Sequence, residues 1–187
     1  KLKGITLETQ QVDMAEQEQL SDAYRQVNPA GTVPALVLDD GTVLSEVIGM
    51  YTYLEELHPE PPLMGYTPLE RAQVISWCHR LSSGLTLGIA SVFRNRSKGF
   101  RDRGLPGPLN LPQIPDLIER GHMQIDFYLP QLDAHLANST WLAGDNFSVA
   151  DIDLYVTIGF LSWIKKPVPE DCTNLLAWHE RTGDRIG

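Results

Sequence analysis

The chain has 187 residues, with 24 acidic side chains against 15 Lys and Arg and a net charge of −9. That length suits one large domain or two small ones, and the acidic balance, with a single basic run at 94–103, argues against a nucleic-acid partner. No apolar stretch is long enough to span a bilayer. Two cysteines, Cys78 and Cys172, are too few and too far apart for a disulfide scaffold or a zinc site. The histidines show no metal-ligand spacing, so no metal is expected. A soluble protein of a reducing, cytoplasmic compartment is the simplest expectation.

In chain order, residues 5–12 (ITLETQQV) alternate apolar and polar, as a half-buried strand does. Residues 16–26 are polar with sparse apolar positions and predict a weak surface helix. Asn28-Pro29-Ala30-Gly31 is a loop. Ala35 to Leu38 and Thr42 to Leu44 are short apolar runs around Asp39-Asp40-Gly41, a tight-turn signal, and predict an antiparallel hairpin. Pro34 has no N–H for a ladder and belongs at the mouth of the first strand. Val33 before it is pushed to an extended conformation, which leaves its N–H and C=O free to pair elsewhere. Ser45 is placed to cap a helix over 46–57.

Residues 58–68 are proline-rich and break every pattern, so they read as a linker between domains. No strand series follows. Pro68 can open a helix that runs to about residue 96. Residues 98–115 form a long loop of Gly, Pro and charge. A helix starts near Asp116 and continues to about Leu136, with Pro130 threatening a kink. Ser148 and Asp151 have the spacing of a capping box, with Phe147 and Ile152 as a hydrophobic staple. The helix after them is apolar nearly all round and is expected to be central and buried. A last helix covers 173–181.

One corner carries chemistry. A helix start offers free N–H groups and a partial positive charge, which suits a carboxylate. Glu46, in the first turn, can accept from an ammonium group. A ligand with both groups fits there. The plainer reading is a hairpin, a capped helix and an ordinary first-turn glutamate.

The order "NPAGTVPAL", "LSEVIGMYTYLEE", a proline-rich linker and "WLAGDNFSVADI" resembles the cytosolic glutathione S-transferases of bacterial type. The resemblance covers essentially the whole chain. It implies an α/β thioredoxin-like N-terminal domain over 1–58, a linker over 59–67 and an all-helical C-terminal domain over 68–187. It also implies a cis Val33–Pro34 peptide, a homodimer, and glutathione as substrate beside a small electrophilic or apolar molecule. Thr32, Val33 and Pro34 would meet the cysteinyl part of glutathione, Glu46 its γ-glutamyl ammonium, and Val47 at the helix start its carboxylate. The family usually has a serine at position 47. With valine one hydrogen bond to a charged group is lost, roughly 1.5–3 kcal/mol.

The helix "VISWCHRLSSGLTLGIASVF" resembles that of the bacterial beta-class enzymes. His79 falls where they carry an asparagine that reaches glutathione in the partner subunit, and Thr86 where they carry a histidine beside the thiol. His79, Ser82, Ser83, Thr86, Ala90 and Phe93 share a helical face. That face reads either as a pocket wall or as small residues that let helices approach. Trp163, Lys165 and Lys166 read either as a pocket rim or as the end of a core helix. Cys78 reads as a buried apolar residue rather than a nucleophile.

The family's fold opens with a strand and helix ahead of the position of Ile5, and "LKGI" resembles only the tail of that helix. The thiol-activating residue is therefore expected upstream of Lys1, and this chain by itself is expected to be inactive. The implied reaction is attack of glutathione thiolate on an electrophile. Isomerisation, disulfide reduction, or a family member that binds without catalysis are the alternatives.

Overall fold

The computed structural model describes residues 1–187. It holds a small α/β unit followed by an all-helical one. Helix α1 covers Asp22–Val27, strands β1 and β2 cover Leu36–Val37 and Val43–Leu44, and helix α2 covers Val47–Leu57. The hairpin forms as expected. β1 and β2 pair antiparallel with Leu36 opposite Leu44 and Val37 opposite Val43. Gly41 closes the turn at φ 84°, and the Asp40 carboxylate accepts the Thr42 N–H at 2.8 Å.

Three expectations in this unit are corrected. Residues 5–12 form no strand. The only sheet has two strands, and an alternating segment without a neighbouring edge has nowhere to place its ladder hydrogen bonds. The helix over 16–26 divides into a single 3₁₀ turn, Glu18–Leu20, and α1, because Ser21 is extended and its hydroxyl caps α1 by accepting from the Tyr24 N–H. Ser45 does not cap α2. The N-cap is Glu46, in an extended conformation, and no side chain caps the helix start.

The helical unit consists of α3 (Pro68–Leu81), α4 (Leu87–Arg96), α5 (Asp116–Leu136), α6 (Val149–Phe160) and α7 (Thr173–Ile186). Pro68 sits in the first turn of α3, behind a Thr67–Glu70 capping box. The expected single helix to residue 96 is continuous in path but passes through a π-helical turn at Ser82–Thr86. Helix α5 runs through Pro130 to Leu136. A proline inside a helix costs about 3 kcal/mol, and the burial of Leu129, Leu132 and Leu136 around it offsets that cost. Helices α4 and α5 cross closely through Gly88 and Gly121. A Cβ on Gly121 would lie 2.7 Å from the Gly88 carbonyl oxygen.

The core belongs to this unit, since every member of its contiguous cluster lies from Leu63 onward. As expected, α6 is central: Val149, Ala150, Asp151, Leu154, Thr157 and Ile158 are all buried. The Ser148–Asp151 capping box forms. Asp151 accepts from the Ser148 N–H at 3.0 Å and the Ser148 hydroxyl at 3.2 Å. Helix α7 runs five residues beyond the expected 181, to Ile186. Its start is capped by Asp133 of α5, which accepts the Asn174 and Leu175 N–H groups at 2.8 and 2.9 Å.

Because the Ser148 hydroxyl reaches only its own helix start, Ser148→Ala should cost about 1–2 kcal/mol, the upper range for a lost N-cap. The urea midpoint should fall with an unchanged slope. An unmoved midpoint would show that the backbone half of the box suffices.

Candidate ligand-binding cleft

The loop between α1 and β1 is held by one buried side chain. Asn28 is 2% exposed. Its Oδ1 accepts the Ala30 N–H at 3.2 Å, and its Nδ2 donates to the Thr32 carbonyl at 2.8 Å. The Tyr24 hydroxyl donates to the same carbonyl at 2.7 Å. Gly31 takes φ 60° beneath them, where a Cβ would meet Leu20 at 3.0 Å. The Thr32 carbonyl is thus spent on the loop itself. The next residue is different: the N–H and C=O of Val33 have no hydrogen-bond partner in the chain. The Val33–Pro34 peptide is cis.

Val33 lies three residues before Leu36 and Val47 three residues after Leu44, the pair at the open end of the hairpin. The unpaired backbone of Val33 and the uncapped start of α2 therefore share the open end of the hairpin. Glu46 is exposed there and forms no ion pair. Its chemistry suits an ammonium, and the free N–H groups of the first turn suit a carboxylate.

On the side of Thr32 and Val33 lies a cleft of about 240 Å³, walled across from them by Arg94, Phe100, Arg103 and Leu105. It runs between the α/β unit and the segment from the end of α4 into the following loop. Glu46 and Val47 lie outside its lining.

The helical face singled out from sequence is not brought together at this cleft. His79 is exposed in the last turn of α3, and its carbonyl accepts the Ser83 hydroxyl at 2.8 Å. Thr86 shares a hydrogen bond of 3.0 Å with the Thr157 hydroxyl of α6. Phe93 comes nearest, with its ring centre 5.1 Å from that of the cleft residue Phe100. Trp163 packs on Phe93 and Phe160 at 5.1 and 4.3 Å. Lys165 turns the chain at φ 55°, and Lys166 pairs with Asp126 at 2.6 Å.

Neither cysteine is an activated thiol. Cys78 and Cys172 are both buried, and burial pushes each thiol up, away from the thiolate. Tyr51 is tied to α6, donating to Asp153 at 3.0 Å. Burial, with Asp153 beside it, pushes its phenol far above the ordinary range. No group of three or more His, Cys, Asp or Glu is placed to hold a metal ion. No helix is long and apolar enough to cross a membrane.

Arg94, Phe100 and Arg103 were not candidates from sequence. The only signal was the lone basic run at 94–103, whose folding against Thr32 depends on the long loop after α4.

Comparison with known proteins places these features in context. Residues 1–57 match the model of the glutathione S-transferase N-terminal domain, and residues 116–185 that of the C-terminal domain. The chain is 32% identical over 159 residues to glutathione S-transferase 2 of Saccharomyces cerevisiae, an alignment spanning 84% of this chain and 66%, just under two thirds, of the yeast protein. It is 26% identical to glutathione S-transferase GstA of Escherichia coli O157:H7, over 88% of this chain and 74% of that one. The crystal structure of a glutathione S-transferase domain-containing protein from Marinobacter aquaeolei VT8 superimposes with a TM-score of 0.83 at 33% identity, covering 93% of this chain and 82% of that one.

Proposed function

Because the chain belongs to the glutathione S-transferase family, we propose that the open end of its hairpin is a glutathione site and that the adjoining cleft receives an electrophilic, largely apolar co-substrate. Val33 pairs its free N–H and C=O with the cysteinyl residue, strand to strand. The first turn of α2, led by the Val47 N–H, takes the γ-glutamyl carboxylate. Glu46 takes the neighbouring ammonium. A tripeptide seated in this way carries its thiol toward the cleft lined by Thr32 and Val33. The reaction is then attack of the thiolate on the electrophile, and catalysis consists in lowering the thiol pKa. Burial removes Cys78, Cys172 and Tyr51 from that role.

The observation that carries this reading is the unpaired backbone of Val33 beside an uncapped helix start. It leaves one donor and one acceptor for an extended ligand, and free N–H groups for its carboxylate.

Calorimetric titration of glutathione into the protein and into Glu46→Ala provides the test. Loss of a charge-assisted hydrogen bond is worth roughly 1.5–3 kcal/mol, so affinity should fall about 10- to 100-fold. Equal affinity in the two proteins would sink the assignment.

A further inference from the structure

The far wall of the cleft carries two arginines that the glutathione reading does not use. Arg94 projects from the last turn of α4, and Arg103 from the loop that follows. The guanidinium carbons lie 4.8 and 5.1 Å from the centre of the Phe100 ring. Nη1 of Arg94 donates to the Arg103 carbonyl at 3.2 Å, and Nη2 of Arg103 donates to the Gly99 carbonyl at 2.7 Å. These bonds fix both groups in place while leaving most of their N–H donors free.

Neither arginine has a carboxylate partner. The ion pairs of the chain are Lys3–Glu55, Arg71–Glu56 and Lys166–Asp126. In a protein with 24 acidic side chains against 15 basic ones, two adjacent, half-buried and uncompensated guanidiniums make a local positive site in a negative molecule. Burial, and the repelling charge of Arg103, hold Arg94 below the ordinary arginine range.

The lining also holds the apolar side chains of Met14, Leu20 and Leu105, with the polar Gln19 and Thr32 among the rest. An apolar cavity of about 150 Å³ suffices for benzene in another protein, so a cleft of about 240 Å³ has room for one substituted ring.

We infer that this end of the cleft is an anion-selective subsite, in which Arg94 and Arg103 hold the carboxylate of a compact aromatic acid whose ring lies against Met14 and Leu105. Planar guanidinium forks match a carboxylate, and two of them reward the charged ligand over its neutral isostere. The inference rests on the reading that Thr32 and Val33 hold glutathione on the opposite wall, since that makes the acid the second substrate.

The probes are 4-nitrobenzoate and its uncharged methyl ester, titrated calorimetrically without glutathione. The protein should bind the acid at least about tenfold more tightly than the ester, with the margin shrinking in high salt. Arg94→Gln and Arg103→Gln should each weaken the acid about tenfold and the ester less than twofold, while Arg94→Lys retains part of the preference. If Arg94→Gln fails to fold, Arg103→Gln, in the loop, decides. An acid bound no better than its ester overturns the subsite, as does a pair of variants that lose glutathione affinity and keep the acid. A separate glutathione titration keeps the two readings apart. Selectivity for nitrobenzoate without glutathione binding removes the proposed function and leaves the anion site standing.

Discussion

Glu55→Ala should lower folding stability by about 3–5 kcal/mol, the range for breaking a buried ion pair by removing one member. Glu55 sits in the last turn of α2, 4% exposed, and pairs with Lys3 at 2.7 Å. The same carboxylate accepts the Leu63 and Met64 N–H groups at 3.3 and 3.1 Å. Lys3 in turn donates to the His58 and Pro61 carbonyls, each at 2.7 Å. One side chain thus ties the start of the chain, α2 and the segment leading into the helical unit. Its removal strands a buried ammonium and two buried N–H groups together. Against a typical total of 5–15 kcal/mol, the variant should unfold at a far lower urea concentration. Lys3→Met added to Glu55→Gln should recover part of the loss, because the uncompensated charge is then gone. A double variant no better than Glu55→Gln would assign the cost to the Leu63 and Met64 groups instead.

Asp151→Ala should cost about 2–4 kcal/mol, far more than Ser148→Ala at the same helix start. Asp151 is fully buried. Besides both Ser148 donors it accepts the Leu142 N–H and the Trp178 Nε1–H, each at 3.0 Å. The carboxylate therefore joins the turn before α6 to the central tryptophan of α7. Each buried donor left unsatisfied costs about 1–3 kcal/mol, partly offset here because a buried charge is also removed. Burial pushes the Asp151 carboxyl above its ordinary value, and the four donors pull it partway back. A folded-state pKa above the unfolded one gives a contribution that is full below the unfolded value, near pH 4, and is lost as pH rises through the folded value. The stability margin of the wild type over Asp151→Asn should therefore narrow as pH rises from 4 to 7. Urea midpoints at both ends of that window measure it, and a margin that widens would reverse the assignment.

The features legible in the amino-acid sequence are local ones. Asp39-Asp40-Gly41 specifies its turn because Gly41 needs positive φ. Pro68 and Thr67 start α3, and Ser148 and Asp151 start α6, because caps act within one helical turn. Pro34 withholds a ladder hydrogen bond at the mouth of β1, because its ring nitrogen carries no N–H. The motif order pointed to the family because those local devices recur at the same spacing. Tertiary structure decided the rest, wherever a group takes its partner from far along the chain. Residues 5–12 have the pattern of a strand, yet a ladder needs an adjacent edge and none adjoins them. Ser45 is as good a capping residue as any, but the path out of β2 makes Glu46 the N-cap. Asp133 caps a helix some forty residues later, and Glu55 finds Lys3 at the other end of the α/β unit. Arg94 and Arg103 read only as the ends of a lone basic run until the loop after α4 folds across from Thr32 and Val33. Whether a charge faces water, a carboxylate or a cleft depends on what the fold lays against it, and no periodicity in the chain encodes that.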